Sequence, residues 1–293
     1  MTEHGPALIV GGDGVVGRAL AERLRRDGRR VIATTRRAQA AAEDRPYLDL
    51  ADDPSDWRPP AGVSCVYLLA AVTSQEACRR DPAGTRRINV DAAVTIARTC
   101  AATGAFVAFP STNLVFDGTR PLRRPHEPTS PQSEYARQKA AAESGILALG
   151  TSVAVVRVPK VLDPGNRLIC GWMEALAAGW PIEPFYDLVI ATVPLSLFVE
   201  ALVRIGEGRR PGLWQVSGHE DVTYADIARA IARGMGADEG LVRPISATVA
   251  GLEVRPTHAT LDSTASEREL GIVVPPLQDQ VAEVFLAGCT GCA

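Results

Sequence analysis

Short apolar runs separated by longer helical patterns dominate the first half of this 293-residue chain. The runs are ALIV (7–10), RVIATT (30–35), CVYLLAA (65–71), FVAFPST (106–112) and SVAVVRV (152–158). Between them, apolar residues recur at helical spacing. Strands that are apolar on both faces and alternate with helices predict a parallel sheet covered on both sides. We therefore expect an α/β fold built on a Rossmann-type doubly wound parallel sheet.

A glycine-rich loop, GGDGVVG, follows the first run and opens the first helical pattern. A strand before such a loop and a helix after it are the context in which its backbone can approach a pyrophosphate. The free N–H groups and the dipole of the helix N-terminus favour the same anion. The residues expected to bind a dinucleotide here are Gly11, Gly14, Val15, Val16 and Gly17.

The second strand ends in TTRR (34–37), where NAD-binding folds carry an acidic residue for the ribose 2′-hydroxyl. Two guanidinium groups suit a 2′-phosphate instead, so Thr35, Arg36 and Arg37 predict NADP(H) in preference to NAD(H). Two solvated arginines in a surface loop are the alternative interpretation. We also expect Asp49 and Leu50 to lie near the adenine.

The segment EYARQK places Tyr135 and Lys139 one turn apart on the same face of a predicted helix. A neighbouring ammonium favours the phenolate and so tunes the phenol as a proton donor. The preceding strand ends in Ser111 and Thr112, whose hydroxyl groups could bind a substrate oxygen. The spacing alone is common on helices, and its position after this strand and downstream of the glycine loop gives it weight.

These motifs together resemble an extended short-chain dehydrogenase/reductase, and more narrowly the dTDP-4-dehydrorhamnose reductase branch of that family. The matching stretches span nearly the whole chain: GGDGVVG, LLAAVTSQEAC (68–78), RRINVDAA, PSTNLVFDG (110–118), HEPTSPQSEYARQK and RPTHATLDSTASERELGI (255–272). In one place the chain departs from the family pattern. FYDLVIATVPLSLF stands where a stretch ending in Pro-Thr is usual, which leaves the identity of the sugar open.

The resemblance implies a role for each matching residue. Thr112, Tyr135 and Lys139 would be catalytic, and Lys139 would also hold the nicotinamide ribose. Further cofactor contacts would come from Ala70, Ala71, Thr73, Asn89, Ser111, Tyr135 and Val158. The expected substrate contacts are Thr112, Asn113, Tyr135, Trp172 and Arg255.

The leading functional prediction is an NADPH-dependent reductase of a keto group on a nucleotide-linked deoxysugar or a related small molecule. A second hypothesis is a sugar-nucleotide epimerase or dehydratase. Such enzymes generally prefer NAD, so the arginines in TTRR argue against this hypothesis. A third is a non-catalytic, NADP-binding regulatory subunit, which would have no chemical need for Thr112, Tyr135 and Lys139 together.

Charge and hydropathy limit the partners and the cellular location that can be expected for this chain. A net charge of −3 gives no reason to expect a nucleic acid or an anionic membrane as partner. We find no apolar run of about 18 residues and no signal-peptide pattern, so a cytoplasmic protein is expected. No metal site is predicted, and Cys289 and Cys292 form a lone C-x-x-C without a second pair.

The chain should divide into a dinucleotide-binding domain over 1–160 and a mainly substrate-binding lobe over 161–293. Strands near 188–216 are expected to return to the first domain's sheet. Homodimerisation through outward-facing helices is compatible with the pattern, although no particular surface indicates it.

Overall fold

The structure is a computed structural model that describes residues 5–250 and 256–287. Two compact units emerge from it. The first contains residues 5–116, 128–157 and 199–215, and the second contains 117–127, 158–198 and the described part of 216–287. Arg255, Cys289 and Cys292 lie outside the described residues.

The strands are β1 (Ala7–Val10), β2 (Val31–Ala33), β3 (Cys65–Leu68), β4 (Phe106–Thr112), β5 (Val153–Val158), β6 (Lys160–Leu162), β7 (Val189–Ile190), β8 (Thr192–Pro194), β9 (Gly212–Gln215) and β10 (Val222–Thr223). The helices are α1 (Val15–Arg26), α2 (Gln75–Arg80), α3 (Pro82–Arg86), α4 (Ala93–Ala102), α5 (Glu134–Leu147), α6 (Arg167–Ala177), α7 (Leu195–Glu207), α8 (Tyr224–Met235), α9 (Thr264–Leu270) and α10 (Leu277–Ala287).

The first unit is built on a six-stranded sheet in the order β2-β1-β3-β4-β5-β9. The pairings of β1 with β2 and β3, of β3 with β4, and of β5 with β9 are all parallel. Every residue of β1, β3 and β5 is buried, as expected for strands covered on both faces. The predicted Rossmann-type parallel sheet is confirmed.

The sheet has its topological switch point at β1, because β2 pairs on one side of β1 and β3 on the other. Ligands of open parallel sheets bind beyond the carboxyl ends of the strands at such a point. The loop after β1 begins at Gly11, and the loop after β3 contains Ala70. These two residues are in direct contact, since a Cβ built on Gly11 would lie 2.8 Å from the backbone nitrogen of Ala70.

The helical segment from α3 to α4 is not a continuous α-helix. A π-helical turn, Arg87–Ala92, separates α3 from α4. Such turns mark places where a helix reorients a side chain, often for function. This one contains the buried Asn89.

The second unit contains two small two-stranded sheets, β6 with β8 and β7 with β10. Its apolar core is formed largely by α6 and α8, with contributions from β10 and α10. Helix α8 begins with a capping box between Thr223 and Asp226 and ends at Gly236, which has a left-handed conformation. Across the described residues of both units, no helix is long and apolar enough to cross a membrane.

Candidate active site

A cleft of about 290 Å³ opens at the carboxyl edge of β1 and β3. Of the residues predicted to bind a cofactor, those that line it are Gly11, Gly14, Arg36, Asp49, Leu50, Ala70 and Ala71. The lining also includes residues that the sequence analysis did not single out: Asp13, Thr34, Leu48, Leu69, Val72 and Ile88. The predicted residues from three separate strand ends and the loop near Asp49 thus meet at one place.

The glycine loop is fixed to β2 from within the first unit. The Gly11 N–H donates to the Thr34 hydroxyl oxygen at 3.1 Å, and the Gly12 N–H donates to the Thr34 carbonyl oxygen at 3.1 Å. Gly17, the third glycine of the motif, is buried on α1. A Cβ there would collide with the Gly11 carbonyl oxygen, so this glycine allows the helix to pack against its own loop.

The two arginines after β2 point to different places. Arg36 lines the cleft, whereas the Arg37 guanidinium donates to the Asp13 carboxylate at 3.2 Å and lines a separate depression. Thr35 is buried, and its hydroxyl donates to Asp13 at 2.7 Å. The predicted pair of arginines is therefore divided, with one side chain on the cofactor side.

Asn89 connects the cleft to α5. Its side-chain oxygen accepts from the Val72 N–H at 2.8 Å, and its amide nitrogen donates to the Val72 carbonyl oxygen at 3.0 Å. The same nitrogen donates to the Gln138 side-chain oxygen at 2.9 Å. Asn89 thereby holds the backbone that lines the cleft to the helix that carries Tyr135 and Lys139.

The end of β4 and one face of α5 form a second group of predicted residues. The Lys139 ammonium donates to the Pro110 carbonyl oxygen at 2.7 Å and lies 3.7 Å from the centre of the Phe109 ring. This bond ties α5 to β4 directly before Ser111 and Thr112. Ser111 is buried, and its hydroxyl has no hydrogen-bond partner within the described chain.

Thr112 ends β4 and caps the short 3₁₀ turn that follows. Its hydroxyl oxygen accepts from the Leu114 N–H at 3.2 Å, and the hydroxyl donates to the Asn113 side-chain oxygen at 3.3 Å. Both interactions are at the long end of the hydrogen-bond range. The hydroxyl proton is therefore held only weakly by Asn113, and a substrate oxygen can replace Asn113 as its acceptor.

Burial sets the protonation of the Tyr-Lys pair. It raises the pKa of Tyr135 to about 12, with a smaller contribution in the same direction from Cys78. Burial also lowers the pKa of Lys139 to about 7, although the Glu143 carboxylate opposes this. At neutral pH the phenol is protonated, which is the form that a proton donor needs. The expected shift of the Tyr135 pKa toward the phenolate by Lys139 is not observed, because burial of the phenol outweighs it.

The remaining predicted residues lie elsewhere. Val15 and Val16 begin α1, and Thr73 is exposed beyond Val72. Val158 is the last, buried residue of β5. Trp172 lies in the apolar core of the second unit, edge-on to Tyr224 with ring centres 6.3 Å apart, so packing accounts for its position.

Both the parallel sheet with its glycine loop and the placement of a Tyr-x-x-x-Lys helix beside a Ser-Thr strand end define an extended short-chain dehydrogenase/reductase. Comparison with known sequences gives the family. A profile described as "RmlD substrate binding domain" matches residues 6–288, and the chain belongs to that family. This is a family of sugar-nucleotide keto reductases within the oxidoreductases, and the resemblance seen in the sequence is confirmed.

Two of the curated relatives have different names. The chain is 32% identical over 226 residues to a dTDP-4-dehydrorhamnose reductase of Mycobacterium tuberculosis, covering 71% of this chain and 74% of the relative. It is 28% identical over 286 residues to the methionine adenosyltransferase 2 subunit beta of Bos taurus, covering 90% and 82%.

Solved structures share the fold. A dTDP-4-dehydrorhamnose reductase from Bacillus anthracis in complex with NADP superposes with a TM-score of 0.82 at 18% identity, covering 97% of this chain and 99% of that one. MoeE5 in complex with UDP-glucose and NAD superposes with a TM-score of 0.76 at 22% identity, with the same coverage of both chains. At these identities the likeness establishes the fold.

Proposed function

We propose that this chain reduces a keto group on a nucleotide-linked deoxysugar with NADPH as the hydride source. The observation that carries the proposal is the bond from Lys139 to the Pro110 carbonyl oxygen, because it fixes the Tyr135 helix to the strand that ends in Thr112. One relative is named dTDP-4-dehydrorhamnose reductase, and that name describes a substrate of this class.

In the proposal, the cleft beside β1 and β3 is the dinucleotide site. Gly14 has an extended backbone, and a Cβ on it would meet only the Gly11 carbonyl oxygen, at 3.4 Å, so its glycine identity leaves room at the loop surface. We propose that the loop around Gly14 holds the pyrophosphate, that Asp49 and Leu50 lie near the adenine, and that Arg36 binds a 2′-phosphate. Since Arg36 is the arginine on the cleft, NADP(H) is the proposed preference over NAD(H).

The chain's own groups account for the proton in the reduction. A bound nicotinamide dinucleotide supplies the hydride. In the proposal, Tyr135 donates its phenolic proton to the carbonyl oxygen as the carbon accepts the hydride, so that the ketone becomes a secondary alcohol. The Thr112 hydroxyl hydrogen-bonds the same oxygen. Lys139, which a pKa of about 7 leaves partly protonated at neutral pH, stabilises in its ammonium form the phenolate left on Tyr135 until solvent returns the proton.

The direct test follows NADPH absorbance in the presence of dTDP-4-dehydrorhamnose, with product analysis for the alcohol. We expect substrate-dependent oxidation that is slower with NADH. NADPH binding without any turnover of this sugar or of other nucleotide-linked ketones would contradict the reductase proposal. It would favour a role as a regulatory subunit. One relative is named as the beta subunit of another enzyme, methionine adenosyltransferase 2.

Alanine substitutions at Gly14 and Gly17 of the glycine loop should have different effects on stability and on NADPH binding. Gly17→Ala should destabilise the chain by about 1–3 kcal/mol, because the new methyl group collides with backbone atoms that cannot move freely. Gly14→Ala should change stability by less than about 0.5 kcal/mol yet weaken NADPH binding, because the methyl group stands on the loop surface proposed for the pyrophosphate.

Thermal unfolding and equilibrium NADPH titration of both variants check this pair, and each variant is the other's control. Unchanged NADPH affinity in Gly14→Ala would mean that the cofactor does not lie against this part of the loop.

A further inference from the structure

Asp13 is the one acidic residue of the glycine loop, and its carboxylate contacts positively charged side chains from the segment after β2. One carboxylate oxygen accepts from the Thr35 hydroxyl at 2.7 Å. The other accepts from the guanidinium groups of Arg37, at 3.2 Å, and Arg45. The Thr35 hydroxyl oxygen in turn accepts from the Arg37 backbone N–H at 3.1 Å, which ties the Arg37 backbone to the same cluster.

The cluster around Asp13 lies at the edge of the proposed cofactor site. Asp13 lines the dinucleotide cleft together with Arg36. It also lines a second, arginine-rich depression of about 540 Å³, and Arg37 and Arg45 are part of that lining. The carboxylate therefore stands between the arginine that reaches the cleft and the two that do not.

The charge on Asp13 is permanent at physiological pH. Burial alone would raise its pKa, but hydrogen bonds from Thr35, Arg45 and Arg37 outweigh burial and hold the pKa at about 2. A carboxylate at the cleft edge repels a phosphate dianion, and it offsets part of the attraction that nearby guanidinium groups exert on it.

We propose that Asp13 determines how strongly this chain discriminates between 2′-phosphorylated and unphosphorylated nicotinamide dinucleotides. It does so by keeping Arg37 and Arg45 paired on its own carboxylate, so that Arg36 alone of the three faces the 2′-phosphate. The inference rests on the proposed dinucleotide binding. The chain then binds NADPH in preference to NADH by a smaller margin than its three arginines could provide.

Equilibrium titration of NADPH and NADH into the full chain tests the proposal without relying on turnover. Asp13→Asn keeps the shape of the side chain and removes its charge. We expect it to strengthen NADPH binding on the order of tenfold and to change NADH binding by less than about twofold. Asp27→Asn removes the same charge at the far end of α1 and should leave the ratio of the two affinities unchanged.

A double-mutant cycle then identifies the arginine that Asp13 restrains. If Arg37 is released by Asp13→Asn, the gain in NADPH affinity should shrink in the Asp13→Asn/Arg37→Ala double variant. In the wild-type background Arg37→Ala should change the affinity ratio by less than about twofold, whereas Arg36→Ala should lower it on the order of tenfold. These two single variants keep the proposal open to refutation even if Asp13→Asn does not fold, because equal losses would contradict it.

Two results overturn the proposal in distinguishable ways. An unchanged or lowered NADPH preference in folded Asp13→Asn, or equal losses from Arg36→Ala and Arg37→Ala, would show that Asp13 does not withhold Arg37. Wild-type protein that binds neither NADPH nor NADH would instead refute the proposed dinucleotide site itself.

Discussion

Replacing Tyr135 with Phe is expected to lower kcat for carbonyl reduction by about 10²–10⁴-fold, the usual contribution of a positioned proton donor. The variant removes one oxygen atom and keeps the aromatic ring. Folding and NADPH affinity should therefore stay close to those of the wild type. Steady-state rates, NADPH titration and thermal unfolding of the same preparation check the three parts of this expectation.

Tyr47→Phe is a matched control for that experiment. Tyr47 is 44% exposed, and its hydroxyl donates to Asp52 at 3.1 Å, so the same atom is removed outside the proposed active site. Its kcat should stay within about twofold of the wild-type value, in line with an exposed substitution. If Tyr135→Phe keeps full activity, the proton comes from another group, and the proposed role of Tyr135 is wrong.

The parts of the fold that sequence patterns predicted well are those set by burial on both faces. FVAFPST was expected to form a strand over 106–112, and β4 has those bounds. Helix α8, over 224–235, likewise has buried residues that recur at helical spacing. In both cases one period persists through the whole element, so local pattern and tertiary packing agree.

Other elements carry no such pattern. The π-helical turn that contains Asn89 depends on hydrogen bonds one residue longer than those of an α-helix, and side-chain periodicity continues across it almost unchanged. Strands β7 and β10 have two residues each, too few to establish an alternation. Tertiary contacts define these elements.

At the candidate site, residue type was predictable but side-chain direction was not. Arg36 lies at a bend and Arg37 has an extended backbone just before a 3₁₀ turn, so their order along the chain does not fix where either side chain points. One of them can therefore face the cleft while the other meets Asp13. Asp13 itself was passed over because the glycine motif leaves its intervening positions free, and only the fold brings Arg45 to it.

Breaking the buried ion pair between Glu143 and Arg157 should have the second large effect, on the free energy of unfolding. The Glu143 carboxylate lies one turn beyond Lys139 on α5 and accepts from Arg157 of β5 at 3.0 Å and 2.6 Å. The two side chains are only 4% and 3% exposed. Arg157 also donates to Gln215 of β9 at 3.4 Å and lies 4.9 Å from the centre of the Phe116 ring. The pair thus links α5 to two strands of the sheet.

Arg157→Met is expected to reduce the free energy of unfolding by about 3–5 kcal/mol, because it leaves the Glu143 carboxylate buried without its main partner. Removing both charges, in Glu143→Leu/Arg157→Met, should restore most of that loss, since apolar side chains can fill the same space without a desolvation penalty. Arg80→Met breaks an ion pair with Glu76 whose side chains are 76% and 47% exposed, and it should cost less than about 1 kcal/mol. Denaturant unfolding of the three variants measures these differences. If Arg157→Met and the double variant are equally destabilised, the loss comes from altered packing between α5 and the sheet, and the unpaired charge on Glu143 is not its cause.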